Sequence, residues 1–131
     1  MTRRLTLLNV DILKAEFPLE ITETPNEDVF YSACAELTEA SHVPWTLLSA
    51  GITFEDFPRQ VNVACLSGAS GVITRRAVWK EAIELENKKD ASLTGLAQER
   101  LIQLTDLVTS SVYPWIINQF PNQTDGWYRD Y

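Results

Sequence analysis

Three polar clusters interrupt the apolar runs of this chain, and each holds a group able to do chemistry: Lys14 with Glu16, Ser49-Ala50-Gly51, and Thr74-Arg75-Arg76. By residue type alone each has an ordinary alternative. A strand lysine near a glutamate is commonly a solvated residue or half of a charge pair, and arginines at a helix start are commonly surface charges. A local basic cluster is still able to grip one small anion. The remaining reactive side chains point elsewhere. Cys34 and Cys65 stand far apart and outside any C-x-x-C pair, so they read as small buried apolar residues in a reducing cytosol, with no metal site, redox motif or cofactor implied. His42 falls in a loop at the opposite end of the strands from Lys14, where a surface role is expected.

These clusters follow apolar runs of strand character. Val10 to Phe17 is short, largely apolar and stopped by Pro18, which predicts a buried strand with Ile12, Lys14 and Glu16 on one face. Asn26 then caps a helix carrying Phe30, Cys34 and Leu37 at helical spacing, ending at Ser41-His42. Pro44 to Ser49 reads as a second strand, Ala50-Gly51 as a turn, and a helix is expected from about Thr53, where Thr53 and Asp56 resemble a capping box. Its apolar stripe is Phe57, Val61, Ala64 and Cys65, with Gly68 as the residue beyond its end and Pro58 late for its first turn. Gly71 to Thr74 is a third strand, followed by a helix from about Arg76 through Trp79 and Ile83. A last helix from about Ser92 is expected to turn Leu93, Leu96, Leu101, Leu104 and Val108 to one side.

The order β-α-β-α-β-α is that of a parallel sheet with crossover helices, whose sites form at the carboxyl ends of the strands. Lys14 to Pro18, Ser49 to Gly51 and Thr74 to Arg76 occupy those ends, so the polar residues are expected to meet at one rim. Composition narrows the functions. The chain has 131 residues, a 45% hydrophobic share and a formal net charge of −7. That is one modest α/β domain with no general attraction to nucleic acid or to anionic lipid. The apolar run after Arg3-Arg4 is too brief for a leader or a membrane span, so a cytoplasmic protein is expected. Residues 1–117 form the expected domain and 118–131 a polar, aromatic tail.

Three blocks carry a resemblance. Asp11-Ile-Leu-Lys-Ala-Glu-Phe-Pro18, Val43-Pro-Trp-Thr-Leu-Leu-Ser-Ala-Gly51 and Gly68-Ala-Ser-Gly-Val-Ile-Thr-Arg-Arg-Ala-Val-Trp79 resemble three consecutive blocks of the tagatose-1,6-bisphosphate aldolase family, a group that includes sulfofructose-phosphate aldolase. The likeness runs roughly from residue 3 to 116, with Tyr113-Pro114-Trp115 also similar. It implies strands six, seven and eight of a (β/α)₈ barrel, with Thr2 to Leu8 as the tail of the preceding helix. A complete barrel takes about 250 residues. The expected fold is therefore a partial barrel of three parallel β-α units plus a C-terminal helix, lacking five strands.

The same resemblance implies roles. Lys14 corresponds to the lysine that forms a Schiff base with the substrate ketone in this metal-independent class of aldolase. Ser49, the amides of Ala50 and Gly51, and Arg76 correspond to the groups that hold a phosphate or sulfonate. Two departures stand out. Arg75 replaces the family's glycine, and the glutamate that carries the proton belongs to a strand preceding the lysine strand, which leaves Glu16 either as a substitute or as a charge balance for Lys14. An anionic sugar phosphate is the implied substrate. The unpaired strand edges imply a homo-oligomer or a complementary barrel half as partner. The alternative is a catalytically silent remnant that serves as an interaction or oligomerisation module.

Overall fold

A computed structural model describes residues 1–8, 10–20, 26–85 and 91–113, with side chains outside 82–85 and 91–94. Eight elements follow in order: α1 (Thr2–Thr6), β1 (Leu13–Ala15), α2 (Glu27–Ala40), β2 (Trp45–Leu48), α3 (Phe57–Leu66), β3 (Val72–Ile73), α4 (Arg76–Leu85) and α5 (Ala91–Ser111). The expected tail, 118–131, lies outside the described residues.

The strands form one parallel sheet in the order β1-β2-β3. Leu13 stands opposite Trp45, Lys14 opposite Thr46 and Ala15 opposite Leu47, while Leu47 faces Val72 and Leu48 faces Ile73. Strand side chains alternate between faces. Trp45 and Leu47 are buried, and Leu13, Ala15 and Val72 pack around them against Phe57, Val61, Ala64, Cys65, Val78 and Leu104 of the helices. The core therefore fills one side of the sheet. Alternation assigns Lys14, Thr46, Leu48 and Ile73 to the other side, which no helix covers among the described residues. The chain is thus α/β, with a small three-stranded parallel sheet and helices, as a partial barrel requires.

Several helix expectations match. Asn26 Oδ1 accepts the Asp28 N–H at 3.0 Å and starts α2, whose Phe30 and Cys34 are buried with Val63 of α3. Gly68, at φ 108, follows the end of α3. Others are corrected. α3 begins at Phe57 and not Thr53, with Pro58 in its first turn, where a missing N–H costs nothing. Thr53 Oγ1 donates to Asp56 Oδ2 at 3.2 Å, so the two residues bond each other without building a capping box on the helix. β1 is shorter than the expected Val10 to Phe17 because its only partner in the described sheet is the four-residue β2. Leu104 and Val108 face inward as expected, but Leu101 lies 46% exposed, and Ala97 and Leu107 complete the inward face of α5, with Val112 just past its end.

Candidate functional site at the carboxyl ends of the strands

Lys14 occupies the middle of β1, its side chain on the helix-free face by strand alternation, and it is exposed. The charge pair with Glu16, one of the alternatives, does not form: neither residue makes an ion pair or a side-chain hydrogen bond among the described residues. Two solvated charges spaced along a strand gain little by meeting. Thr46, directly across from Lys14, has a buried hydroxyl with no hydrogen-bond partner.

The second cluster is built by a turn. The carbonyl of Ser49 accepts from Ile52 N–H at 3.0 Å, and Gly51 in the third position of that turn has φ 86. This is the type II pattern, which favours glycine there. No atom lies within 4 Å of the place a Cβ would take, so the backbone conformation and not crowding demands the glycine. Ser49 itself is buried, and its Oγ accepts the backbone N–H of Arg75 at 3.3 Å.

That bond joins the end of β2 to the residue before α4, and so brings Ser49, the Ala50-Gly51 turn and Arg76 to one end of the sheet. Arg75 and Arg76 are both exposed. Arg76 opens a ten-residue helix whose first N–H groups and dipole favour an anion. The Arg75 N–H, by contrast, is already committed to Ser49. Lys14 pairs with Thr46, three residues before Ser49. It therefore stands about 10 Å back along the strand direction from the turn.

Charge is divided across the turn. On the β3 side the chain carries Arg75 and Arg76, both exposed. On the β1 side a cavity of about 310 Å³ is lined by Glu16, Glu20 and Asp56 together with the Ala50-Gly51 turn, Phe17, Ile52 and Gln60. His42 is exposed and precedes β2, at the opposite end of the sheet. Cys34 and Cys65 are buried and free, and burial pushes their thiols up to about 12 and about 11. No group of three or more His, Cys, Asp or Glu suited to a metal ion occurs among the described residues.

Two residues escaped the sequence reading. Gln60 is 7% exposed on the buried side of α3. Its position one residue before Val61 in the apolar stripe was the available signal. Arg100 of α5 donates to the carbonyls of Ala77 and Val78 at 3.3 and 3.2 Å, pairs with Glu81, and places its guanidinium 4.5 Å from the Phe54 ring centroid. It pins α5 to the start of α4, and partners so distant in sequence leave no local pattern.

Comparison with known proteins decides the family. The family model described as DeoC/LacD family aldolase matches residues 1–81, the segment that contains Lys14, Ser49, Gly51 and Arg76. The chain belongs to the DeoC/LacD aldolase family. It is similar to the tagatose 1,6-diphosphate aldolase of Listeria monocytogenes serotype 4a, 30% identical over 125 residues that cover 81% of this chain and 36% of that protein. The enzyme of the same name from Lactococcus lactis subsp. lactis is 28% identical over 123 residues, covering 82% and 38%. That from Staphylococcus aureus strain RF122 is 30% identical over 114 residues, covering 76% and 34%. The chain thus spans about a third of the length of these relatives. Among the described residues, no helix of this family member is long and apolar enough to cross a membrane.

Proposed function

We propose that residues 1–113 supply the amine and the anion-holding rim of a class I aldolase acting on an anionic sugar phosphate, with β1, β2 and β3 as strands six, seven and eight of a (β/α)₈ barrel. The observation that carries this reading is the position of Lys14 in an aldolase-family chain: mid-strand, by alternation on the face that a closed barrel would enclose, one end of its sheet bearing a turn and an arginine. The names of the relatives, tagatose 1,6-diphosphate aldolase, support a ketose phosphate as the substrate class.

In this mechanism the neutral amine of Lys14 attacks the ketone carbon, and loss of water forms an iminium. Removal of the proton from the hydroxyl on the far carbon of the scissile bond lets that bond break. Its electron pair flows into the iminium to give an enamine, and the hydroxyl-bearing fragment leaves as an aldehyde. Protonation of the enamine and hydrolysis then release the ketone and restore the amine. The substrate phosphate is held by the Ala50-Gly51 amides, Ser49 and Arg76 on the β3 side of the turn.

The amine must be desolvated to be neutral near pH 7, and Lys14 is exposed in the single chain. The proposal therefore assigns its enclosure, and the proton carrier, to further barrel strands from a complementary half or from another copy. Borohydride reduction in the presence of dihydroxyacetone phosphate, with the complementing strands present, is expected to leave a stable adduct on Lys14 and none in Lys14→Met. An unmodified Lys14 under those conditions would sink the reading.

A second reading is favoured by the same exposure. With Lys14 in water and β1 and β3 each paired on one side only in the described sheet, the chain serves as a non-catalytic interaction module whose edges pair with another chain. Light scattering distinguishes them: this reading requires a mass above that of one chain without any trapped adduct.

A further inference from the structure

The cavity on the β1 side of the Ala50-Gly51 turn is bordered by that turn, but its side chains have no step in the proposed chemistry, and they are an unusual set. Glu16, Glu20 and Asp56 all border it, and none of these carboxylates has a cationic partner among the described residues. Asp56 sits at the N-cap of α3 yet makes no capping bond; among the described residues its one side-chain hydrogen bond comes from Thr53. Gln60 is 7% exposed and borders the cavity, and its amide has no hydrogen-bond partner among the described residues. Its amide atoms are not sealed off from solvent, so the cavity leaves them open to a ligand or a water. Phe17, held edge-to-face against Phe30 with ring centroids 5.8 Å apart, supplies an aromatic wall, and Ile52 an apolar one.

We infer that this cavity is a binding site for a small organic cation, an ammonium or guanidinium group on a short aliphatic stem. Three uncompensated carboxylates favour positive charge, the Gln60 carbonyl oxygen accepts from an N–H, and an aromatic and an apolar wall suit the methylene chain that carries the cationic head. Size agrees: about 310 Å³ is at the small end of organic ligand sites. A bare metal ion fits worse. It needs carboxylates converging at about 2.0–2.6 Å, and no such group of three exists among the described residues. A sugar phosphate fits worse still, because its dianion would face three carboxylates. The site does not depend on the aldolase reading, since none of its side chains is assigned a step there.

Such a cation has two sources, a free amine or an Arg or Lys side chain of a second copy. Isothermal titration of the full chain with agmatine, which carries both head groups, tests the shared chemistry, with MgCl₂ and the neutral polyol sorbitol as comparisons. Agmatine is expected to bind, to bind more weakly as salt rises, and to lose about tenfold in affinity in Glu20→Gln and in Gln60→Leu, the loss of one charge-assisted or buried hydrogen bond. Glu20 is exposed, so Glu20→Gln keeps the test valid if Gln60→Leu fails to fold. Self-association that agmatine reverses and Glu20→Gln abolishes assigns the cation to a second copy, whereas agmatine binding to a chain that stays monomeric assigns it to a free amine. Absence of both agmatine binding and Glu20-dependent association overturns the inference, as does tighter binding of magnesium or equal binding of sorbitol.

Discussion

The indole N–H of Trp45 donates to Thr38 Oγ1 at 2.9 Å, and the same hydroxyl donates to the carbonyl of Ser67 at 2.6 Å. Trp45 is the largest fully buried side chain of the core, so its N–H has no access to water. Thr38 thereby links α2, β2 and the end of α3 through one oxygen. Thr38→Val keeps the shape and removes both bonds, leaving a buried donor unanswered. Unfolding by urea is expected to show a loss of about 1–3 kcal/mol, with the slope against denaturant unchanged. A loss no larger than that of an exposed threonine such as Thr105 would mean that the Trp45 donor finds another acceptor.

Gly68 completes the same junction from the other side. Its φ is 108, and a Cβ built there would lie 2.7 Å from Thr38 Cγ2 and 2.9 Å from Thr38 Oγ1. Gly68→Ala therefore meets two costs, a backbone conformation that side chains rarely adopt and a contact closer than atoms tolerate. The expected destabilisation is about 2 kcal/mol or more. Gly51→Ala differs: its φ is 86 but the space is open, so only the backbone cost applies and a smaller loss, about 1 kcal/mol, is expected. Thermal unfolding of the two variants side by side checks the ranking.

The buried thiols set a limit on stability at high pH. Burial raises Cys34 to about 12 and Cys65 to about 11, against an ordinary value of 9.0. Below pH 9 both states hold the protons and nothing changes. Above it the unfolded chain releases them first, so folding stability falls until the folded values are reached, at up to about 1.4 kcal/mol per pH unit for each thiol. Because tyrosines and lysines titrate in the same range, the informative measurement is the difference between wild type and Cys65→Ala. The variant is expected to start less stable at pH 7 and to lose stability less steeply between pH 9 and 11. Parallel pH profiles would contradict the burial of Cys65.

How much of this was legible beforehand follows from the range of each interaction. Local signals read true: Asn26 as a cap, the stripe Phe57-Val61-Ala64-Cys65, Gly68 past a helix end, and the three-strand order. Errors arose where a residue's fate depends on distant partners. Leu101 fits a helical stripe with Leu104 and Val108, yet α5 packs on both α3 and α4, and their joint surface takes Leu104, Leu107 and Val108 and leaves Leu101 outside. Thr53 and Asp56 have the spacing of a cap, but the helix begins only at Phe57, with Pro58 in its first turn. At the site, the clusters at the strand ends were visible in sequence. The commitment of the Arg75 N–H to Ser49, and the acidic cavity beside Gly51, required the sheet register that brings separate strands to one level.

Ser49 is the residue on which the geometry of the rim turns, and its removal separates positioning from binding. Its Oγ is the only side-chain acceptor for the Arg75 N–H among the described bonds, and Arg75 directly precedes the helix that begins with Arg76. Ser49→Ala leaves that N–H without an acceptor at the β3-α4 junction, at an expected cost of about 1 kcal/mol. Hydrogen exchange locates the effect. The Arg75 amide is expected to lose protection, while the Leu47 amide, bonded to the Gly71 carbonyl at 3.0 Å within the sheet, keeps its own. If the rim holds a phosphate as proposed, sulfate is expected to protect the start of α4 in wild type and to do so less in Ser49→Ala, because Arg76 is then no longer fixed relative to the Gly51 turn. Unchanged protection at Arg75 in the variant would show that α4 is held by other contacts, such as the Arg100 bonds to Ala77 and Val78, and would leave Ser49 without the positioning role.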